Sequence, residues 1–222
     1  MSYKLSPSSL HLMEECPRCF WLDQNQKKKR PESIFPSLPS GMDKILKIHF
    51  DNFRDKEKLP PELNKIKECK DCKLFDDKKL LEIWRNNFKG ISWTDKEGNI
   101  LHGAIDNILV NGKKLIVLDY KTRGYPLKED THEHYQNQLD FYNFLLRKNG
   151  YETEDYSFLL FYIPEKVIET GEVIFNSQLV KMKINIDNAE KLFVKALKLL
   201  KCPCPKQEHT ECPWCQLIKN EE

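Results

Sequence analysis

This sequence has little of what three broad classes of protein need. No run of apolar residues approaches the roughly 20 residues that a membrane-spanning helix requires, so we expect no membrane partner. The N-terminal residues 1–12 lack the basic-then-apolar pattern of a secretory signal peptide, and a cytoplasmic location is the default expectation. The eight glycines form no glycine–lysine phosphate loop, so helicase or ATPase activity would have to come from a separate partner protein.

Net charge is also low. The value of +2 is too small to indicate a nucleic-acid partner by itself. One local basic run, Lys27-Lys28-Lys29-Arg30, either contacts phosphates or forms a solvated loop. A hydrophobic content of 40% and a charged content of 32% indicate a globular protein. Because 222 residues suffice to bury a substantial core, we predict one domain spanning residues 1–222.

A predicted β-hairpin in the middle of the chain carries the residues with the clearest chemistry. The dipeptide Asn111-Gly112 lies between two apolar, β-branched runs, which is a strong hairpin signal. The first run, residues 105–110, carries Asp106, and the second, residues 114–120, has Asp119 near its end, with Lys121 two residues on from Asp119. Side chains alternate along a strand, so Asp119 and Lys121 should share a face, and the hairpin can bring Asp106 beside them. Two carboxylates near one lysine suit Mg²⁺ or Mn²⁺ and the activation of water at a phosphodiester.

These residues resemble the signature of the PD-(D/E)XK nuclease superfamily. The likeness begins with Gly103-Ala104-Ile105-Asp106 and Asp119-Tyr120-Lys121. Gln138-Leu139-Asp140-Phe141-Tyr142 is similar to the Gln-x-x-x-Tyr element of the RecB-like branch, and His49 is similar to its additional histidine ligand. The opening Ser6-Pro7-Ser8-Ser9-Leu10, followed by Cys16-Pro17, also fits that branch.

The resemblance implies a fold, a metal site and a substrate. The fold would be α/β, a restriction-endonuclease-like core in which helices flank a mixed central sheet. Mg²⁺ or Mn²⁺ would be held by Asp106, Asp119, the Tyr120 carbonyl and His49. Lys121 would position the attacking water. Gln138 and Tyr142 would shape the site. The substrate implied is DNA, either single-stranded or with free ends, which is typical of an exonuclease.

The hydrophobic pattern predicts further helices and strands around the hairpin. Ser6 should cap a first helix, and residues 24–40 should form a loop. Strands 91–94 and 100–110 and the second arm of the hairpin should give three antiparallel strands in succession. On that continuous strand His102 would share a face with Asp106, either as a substrate contact or as a histidine beside a turn. The other predicted elements are helices 42–54, 78–88, 131–149 and 189–200 (the last capped by Asp187) and strands 156–163 and 172–184.

We do not expect the eight cysteines to form disulfides, because a reducing compartment disfavours them. They occur as closely spaced pairs that read better as metal ligands. If the chain ends meet, one site can form from Cys16, Cys19, Cys212 and Cys215. Four thiolates fit a tetrahedral Zn²⁺ or a [4Fe–4S] cluster. Cys69 and Cys72 form either half of a zinc knuckle or an unmetallated pair.

A resemblance to the AddB-type and CRISPR-adaptation nucleases favours the [4Fe–4S] cluster over zinc at the chain ends. Their layout of one N-terminal and three C-terminal cysteines would bring in Cys204, or less readily Cys202, in place of Cys16 or Cys19. We expect a cysteine-rich metal-bound module built from residues 1–22 and 201–218, and a structural role for its metal centre.

Three functional hypotheses follow from the sequence. The favoured one is a Mg²⁺- or Mn²⁺-dependent deoxyribonuclease. The alternative from another class is a non-catalytic nucleic-acid-binding protein with a structural metal knuckle, and a third is a nuclease that acts on RNA. The residues do not separate DNA repair from recombination, CRISPR adaptation or a mobile element as the biological role.

Overall fold

The computed structural model describes residues 2–31, 36–206 and 212–218. In these residues eight strands form two sheets. A three-stranded sheet has the order β1-β4-β3, and a five-stranded sheet has the order β2-β5-β6-β7-β8. The strands are β1 (Lys4–Leu5), β2 (Cys72–Leu74), β3 (Ile91–Thr94), β4 (Ile100–Gly103), β5 (Asn107–Asn111), β6 (Lys114–Thr122), β7 (Tyr156–Val167) and β8 (Val173–Lys183).

Helices lie on both sides of the larger sheet, as the α/β prediction requires. The α-helices of the described residues are α1 (Pro7–Glu15), α2 (Pro17–Gln26), α3 (Ser37–Arg54), α4 (Pro61–Asn64), α5 (Lys78–Arg85), α6 (Gln136–Lys148), α7 (Ile186–Lys201) and α8 (Pro213–Ile218). Within the described ranges, no helix combines the length and the apolar character needed to cross a bilayer.

The predicted hairpin is confirmed. Strands β5 and β6 pair antiparallel, with Asn111 opposite Lys114. Gly112 in the turn has φ +59°, a left-handed conformation that glycine adopts without steric cost. Strand β7 then pairs parallel to β6, so the sheet is mixed.

Alternation along β6 divides its side chains between two hydrophobic clusters. Val117 belongs to the cluster that includes residues of α6, and Leu118 belongs to the cluster that includes residues of α3. Both side chains are fully buried, as expected for a strand covered on both faces. The same alternation directs Asp119 and Lys121 towards α6 and Tyr120 towards α3.

The prediction of one continuous strand over 100–110, and with it three antiparallel strands in succession, is wrong. Strand β4 ends at Gly103 in the smaller sheet, and β5 begins at Asn107 in the larger one. Between them the Ile105 amide donates to the Trp84 carbonyl at 2.9 Å, which ties the connection to α5. An added Cβ at Gly103 would lie 2.8 Å from Tyr142 Cε1, so helix α6 packs against this bend. The chain therefore changes sheets immediately before Asp106.

Several predicted boundaries also differ. The first helix is capped by Ser6 as predicted, but α2 extends to Gln26 and α3 begins at Ser37, which shortens the expected loop. Helix α5 ends at Arg85, three residues before the predicted end at residue 88, and Phe88 is 88% exposed. Helix α7 is capped by Asn185, whose side chain accepts from the Asn188 amide, and not by Asp187.

Candidate active site

A cleft of about 920 Å³ opens where α1, α3, α6, the β4–β5 connection and β6 meet. We call it the acidic cleft, because three aspartates line it. Its lining residues are Ser6, Pro7, Ser8, His11, Pro36, Ser40, Asp43, Lys47, Asn87, His102, Gly103, Ala104, Asp106, Asp119, Lys121, His134, Tyr135, Asn137, Gln138 and Tyr142. All five residues predicted as catalytic, Asp106, Asp119, Lys121, Gln138 and Tyr142, are therefore brought together.

Four of these side chains form one connected network between β6 and α6. Lys121 Nζ lies 2.5 Å from Asp119 Oδ2 and donates a hydrogen bond of 3.1 Å to Gln138 Oε1. Gln138 Nε2 donates to Asp119 Oδ1 at 3.1 Å and to Tyr142 Oη at 2.7 Å. Because Gln138 and Tyr142 are four residues apart, they lie on the same face of α6. The lysine is thus held between a carboxylate and an amide.

Asp106 faces this network from the β4–β5 connection. Its Oδ2 accepts from the Tyr120 amide at 3.2 Å, and its Oδ1 lies 3.2 Å from Lys47 Nζ. The Tyr120 side chain lies on the other face of the sheet, where its hydroxyl accepts from Asn107 Nδ2 at 2.5 Å. Only the backbone of Tyr120 can thus take part in this site, and a ligand role for its carbonyl stays a prediction.

Asp119 is the most unusual group in the cleft. It is only 1% exposed, and its Oδ2 is paired with the Lys121 ammonium. Burial raises the pKa of Asp119 to about 7, and the neighbouring Asp106 charge acts in the same direction. Burial acts to lower the pKa of Lys121, but the charges of Asp119 and Asp106 raise it overall. A buried carboxylate oxygen beside a second carboxylate suits a hard divalent cation.

The structure does not bring His49 into the acidic cleft. Its Nε2 lies 3.0 Å from Glu62 Oε1, and its ring packs edge-on against Phe53 at 5.1 Å between centroids. Glu62 also accepts from the Tyr162 hydroxyl at 2.9 Å. Residues of an α-helix advance about 100° each, so His49 points about 200° away from Lys47, which does line the cleft. A ligand role for His49 stays a prediction, and it requires His49 to leave Glu62.

Four cleft residues were missed by the sequence reasoning. Asp43 and Lys47 form an ion pair of 2.8 Å, and their spacing of four residues was a usable signal for a shared helix face. Tyr135 lies under the Lys121 ammonium, 4.7 Å from its ring centroid, and His134 lines the same wall. His102, at the end of β4, also lines the cleft, and its role as a substrate contact stays a prediction. Burial lowers the pKa of His102.

The two chain ends meet at a second site. The Sγ atoms of Cys16, Cys19, Cys212 and Cys215 all lie within 4.8 Å of one another, and all four residues are buried. Cys19 Sγ is 3.5 Å from Cys215 Sγ and 3.7 Å from Cys212 Sγ. Cys16 Sγ is 3.5 Å from Cys215 Sγ. We call these residues the four-cysteine site. Part of the predicted module, residues 1 and 207–211, lies outside the described residues.

The remaining cysteines do not join this site. Cys202 is exposed, and the Cys204 thiol is directed to the Pro205 carbonyl at 3.7 Å. Cys69 and Cys72 are buried around the start of β2, and no third cysteine, histidine or carboxylate of the described residues groups with them as a metal site. In the basic run, Arg30 donates to Cys212 Sγ at 3.6 Å and to Glu15 at 2.6 Å. Arg30 of the basic run therefore contacts the four-cysteine site.

Comparisons with known proteins agree with this geometry. A family model described as the PD-(D/E)XK nuclease superfamily matches residues 75–219, more than half of the chain. A search of curated proteins finds no match. Among solved structures, the crystal structure of SSO0001 is similar over 96% of this chain and 88% of that chain, with 13% sequence identity and a TM-score of 0.45. At that TM-score the structural likeness carries no functional conclusion.

Proposed function

Since the chain belongs to the PD-(D/E)XK nuclease superfamily, whose members are mostly nucleases, we propose that it is a divalent-metal-dependent deoxyribonuclease of the RecB-like branch. The observation that carries the proposal is the buried Asp119 carboxylate, placed beside Asp106 and Lys121 in an open cleft. Buried carboxylates are costly to keep, and they concentrate at functional sites.

Asp106 and Asp119 would hold Mg²⁺ or Mn²⁺ together with the Tyr120 carbonyl. When bound, such an ion polarises the phosphodiester and lowers the pKa of a coordinated water. Lys121 has a raised pKa and stays protonated, so it acts as a hydrogen-bond donor and not as a general base. Its ammonium can orient the attacking water and stabilise charge that develops on the phosphate.

Gln138 and Tyr142 keep Lys121 and Asp119 in position. The Gln138 amide contacts both members of the Lys121–Asp119 ion pair, and its Nε2 also donates to the Tyr142 hydroxyl. A site whose side chains are locked by such contacts needs little reorganisation during the reaction. Gln138 and Tyr142 are therefore positioning residues in this proposal.

We infer DNA with a free end or a single-stranded segment as the substrate, and exonuclease-like cleavage, from the resemblance to the RecB-like branch. The cleft adds support through the rings of Tyr135 and His134, since aromatic groups beside cations suit unstacked bases. A partner helicase would supply any strand separation. The eight unpaired cysteines support a reducing, cytoplasmic location.

We propose that the four-cysteine site holds a structural metal that joins the chain ends. Metal–sulfur bonds of about 2.3 Å place the thiolates of one tetrahedral ion about 3.8 Å apart, close to the 3.5–3.7 Å observed here. The thiolates of a [4Fe–4S] cluster bind four different irons and stand farther apart than thiolates that share one ion. The spacing therefore favours Zn²⁺ over the iron–sulfur cluster, and iron and zinc analysis of anaerobically purified protein separates the two.

The nuclease proposal is tested with labelled DNA and Mg²⁺ or Mn²⁺, with EDTA as the metal-free control. Asp119→Ala and Lys121→Ala should each reduce cleavage at least about 100-fold. Lys113→Ala, at the exposed turn of the same hairpin, should cleave like the unchanged protein. Circular dichroism should show the same fold in all variants. Full activity in both active-site variants would refute the assignment.

The same assay separates the alternatives. A non-catalytic nucleic-acid-binding protein would retain labelled DNA in a shift assay but leave it intact with either metal. An RNA nuclease would cleave a labelled RNA of the same sequence and spare the DNA. The acidic cleft contains both aspartates and the lysine of the superfamily signature, Asp106, Asp119 and Lys121, and their presence favours catalysis over binding alone.

A further inference from the structure

Two residues of α3, Asp43 and Lys47, enter the acidic cleft opposite the predicted catalytic residues. Lys47 Nζ lies 2.8 Å from Asp43 Oδ2 and 3.2 Å from Asp106 Oδ1. Both side chains are partly buried: Lys47 is 21% exposed and Asp43 is 37% exposed. One ammonium group therefore bridges a helix carboxylate and a carboxylate of the active site.

The Lys47 ammonium occupies a place that suits a cation. It lies between the carboxylates of Asp43 and Asp106, and both of these aspartates line the acidic cleft. The buried Asp119 carboxylate lines the same cleft. A divalent ion would take the place beside Asp106 that Lys47 now fills.

We propose that Asp43 is a third carboxylate ligand of the divalent cation and that Lys47 holds the cation's place until the ion binds. This inference rests on the proposed nuclease function, since it concerns the same metal. Once the ion binds Asp43 and Asp106, the Lys47 ammonium loses both partners. Its flexible stem lets it turn towards the substrate, where it can bind a phosphate.

Asp43 competes here with His49 for the role of helix ligand. The described contacts favour Asp43, because its carboxylate lines the cleft while His49 pairs with Glu62 outside it. Oxygen ligands are also the ones that Mg²⁺ prefers. A site with three carboxylates is harder than one with two carboxylates and an imidazole.

The test is the affinity for Mn²⁺, measured by calorimetry or by electron paramagnetic resonance in the absence of DNA. Mn²⁺ is suitable because it prefers oxygen ligands over the thiolates of the four-cysteine site. Asp43→Asn should weaken binding about 10- to 100-fold. Lys47→Met should tighten it about tenfold, because a competing positive charge is removed. Lys44→Met, at an exposed position of α3, is the matched control and should leave the affinity unchanged.

The double variant Asp43→Asn/Lys47→Met decides whether Asp43 binds the ion or only holds Lys47. If Asp43 is a ligand, the double variant should still bind Mn²⁺ at least about tenfold more weakly than Lys47→Met alone. Equal affinities of these two proteins would overturn the inference. So would a His49→Ala variant that loses affinity while Asp43→Asn retains it.

Two further proteins separate this inference from the proposed function. Binding by the unchanged protein and its loss in Asp119→Asn support the nuclease metal site, whatever Asp43 does. An unchanged affinity in Asp43→Asn would then overturn only the role of Asp43. If the unchanged protein binds no Mn²⁺, the nuclease metal site and the inference both fall.

Discussion

Replacing Gly103 with alanine should damage both the stability and the activity of this protein. An added Cβ at this position would lie 2.8 Å from Tyr142 Cε1 and 3.1 Å from Tyr142 Cδ1. The first distance is shorter than folded proteins tolerate, and the Tyr142 ring cannot move away easily because it is only 5% exposed. Overpacking of this kind costs about 1–3 kcal/mol of unfolding free energy. For a chain of this length, that corresponds to a fall in the melting temperature of about 2–12 °C.

The clash between a Cβ added at Gly103 and the Tyr142 ring would also disturb the hydrogen bonds around Lys121. A displaced Tyr142 ring weakens the 2.7 Å hydrogen bond that its hydroxyl accepts from Gln138, and Gln138 in turn contacts Lys121 and Asp119. We therefore expect Gly103→Ala to lower the rate of DNA cleavage by about tenfold or more even below its melting temperature, since a misplacement of about 1 Å can cost about 100-fold.

The assay combines thermal unfolding, followed by circular dichroism, with cleavage of labelled DNA. Gly41→Ala is the matched control. Among the described residues, no atom apart from the neighbouring backbone of its own helix lies within 4 Å of a Cβ added at Gly41, and alanine should stabilise helix α3 by about 0.5–1 kcal/mol. In a Tyr142→Leu variant, Gly103→Ala should lower the unfolding free energy by less, because the Tyr142 ring is absent. Unchanged stability and activity in Gly103→Ala would refute the close contact between the β4–β5 connection and α6.

Two other changes test the rest of the molecule. Cys215→Ser should remove the metal of the four-cysteine site and make the chain beyond α7 sensitive to proteases, because the proposed metal would tie Cys212 and Cys215 to Cys16 and Cys19. Metal analysis and limited proteolysis measure this, and Cys202→Ser is the exposed control. Full metal content in Cys215→Ser would contradict the ligand set. Arg54→Met should lower the unfolding free energy by about 3 kcal/mol, because Arg54 is only 6% exposed and donates to the Phe75 carbonyl, to Asn107 and to Asp51, each of which would lose a hydrogen bond. Denaturant unfolding measures the unfolding free energy of Arg54→Met, and Lys56→Met, near the same end of α3, is the control. Equal stability of the two variants would contradict this role of Arg54.

Local patterns were sufficient to predict the β5–β6 hairpin. Asn111-Gly112 specifies a tight turn, and the period of two in β6 places Asp119 and Lys121 on one face without any knowledge of the fold. The four-cysteine site could be predicted for a similar reason, because closely spaced thiols need partners and the two pairs lie near opposite chain ends.

Features that depend on tertiary packing could not be predicted. Residues 100–110 read as one strand because hydrophobic alternation continues through the bend, while the change of sheet depends on how α6 packs against Gly103. The apolar residues of α3 predict the helix, but they do not predict which of its polar residues face the acidic cleft. The sequence therefore points to His49, whereas the structure places Asp43 and Lys47 in the cleft. Phe88 shows the limit of hydrophobicity alone, since an apolar side chain in a turn need not be buried.

Helix α1 connects the acidic cleft to the four-cysteine site. Its nine residues span about 14 Å, with Pro7 and Ser8 on the rim of the acidic cleft at one end and Cys16, the cap of α2, directly after the other. If the four-cysteine site holds a metal as proposed, loss of that metal would free Cys16, and a shift of Cys16 would be passed along α1 to the cleft rim. The proposed ion would then help to position the entrance of the cleft, although it would lie outside the cleft itself.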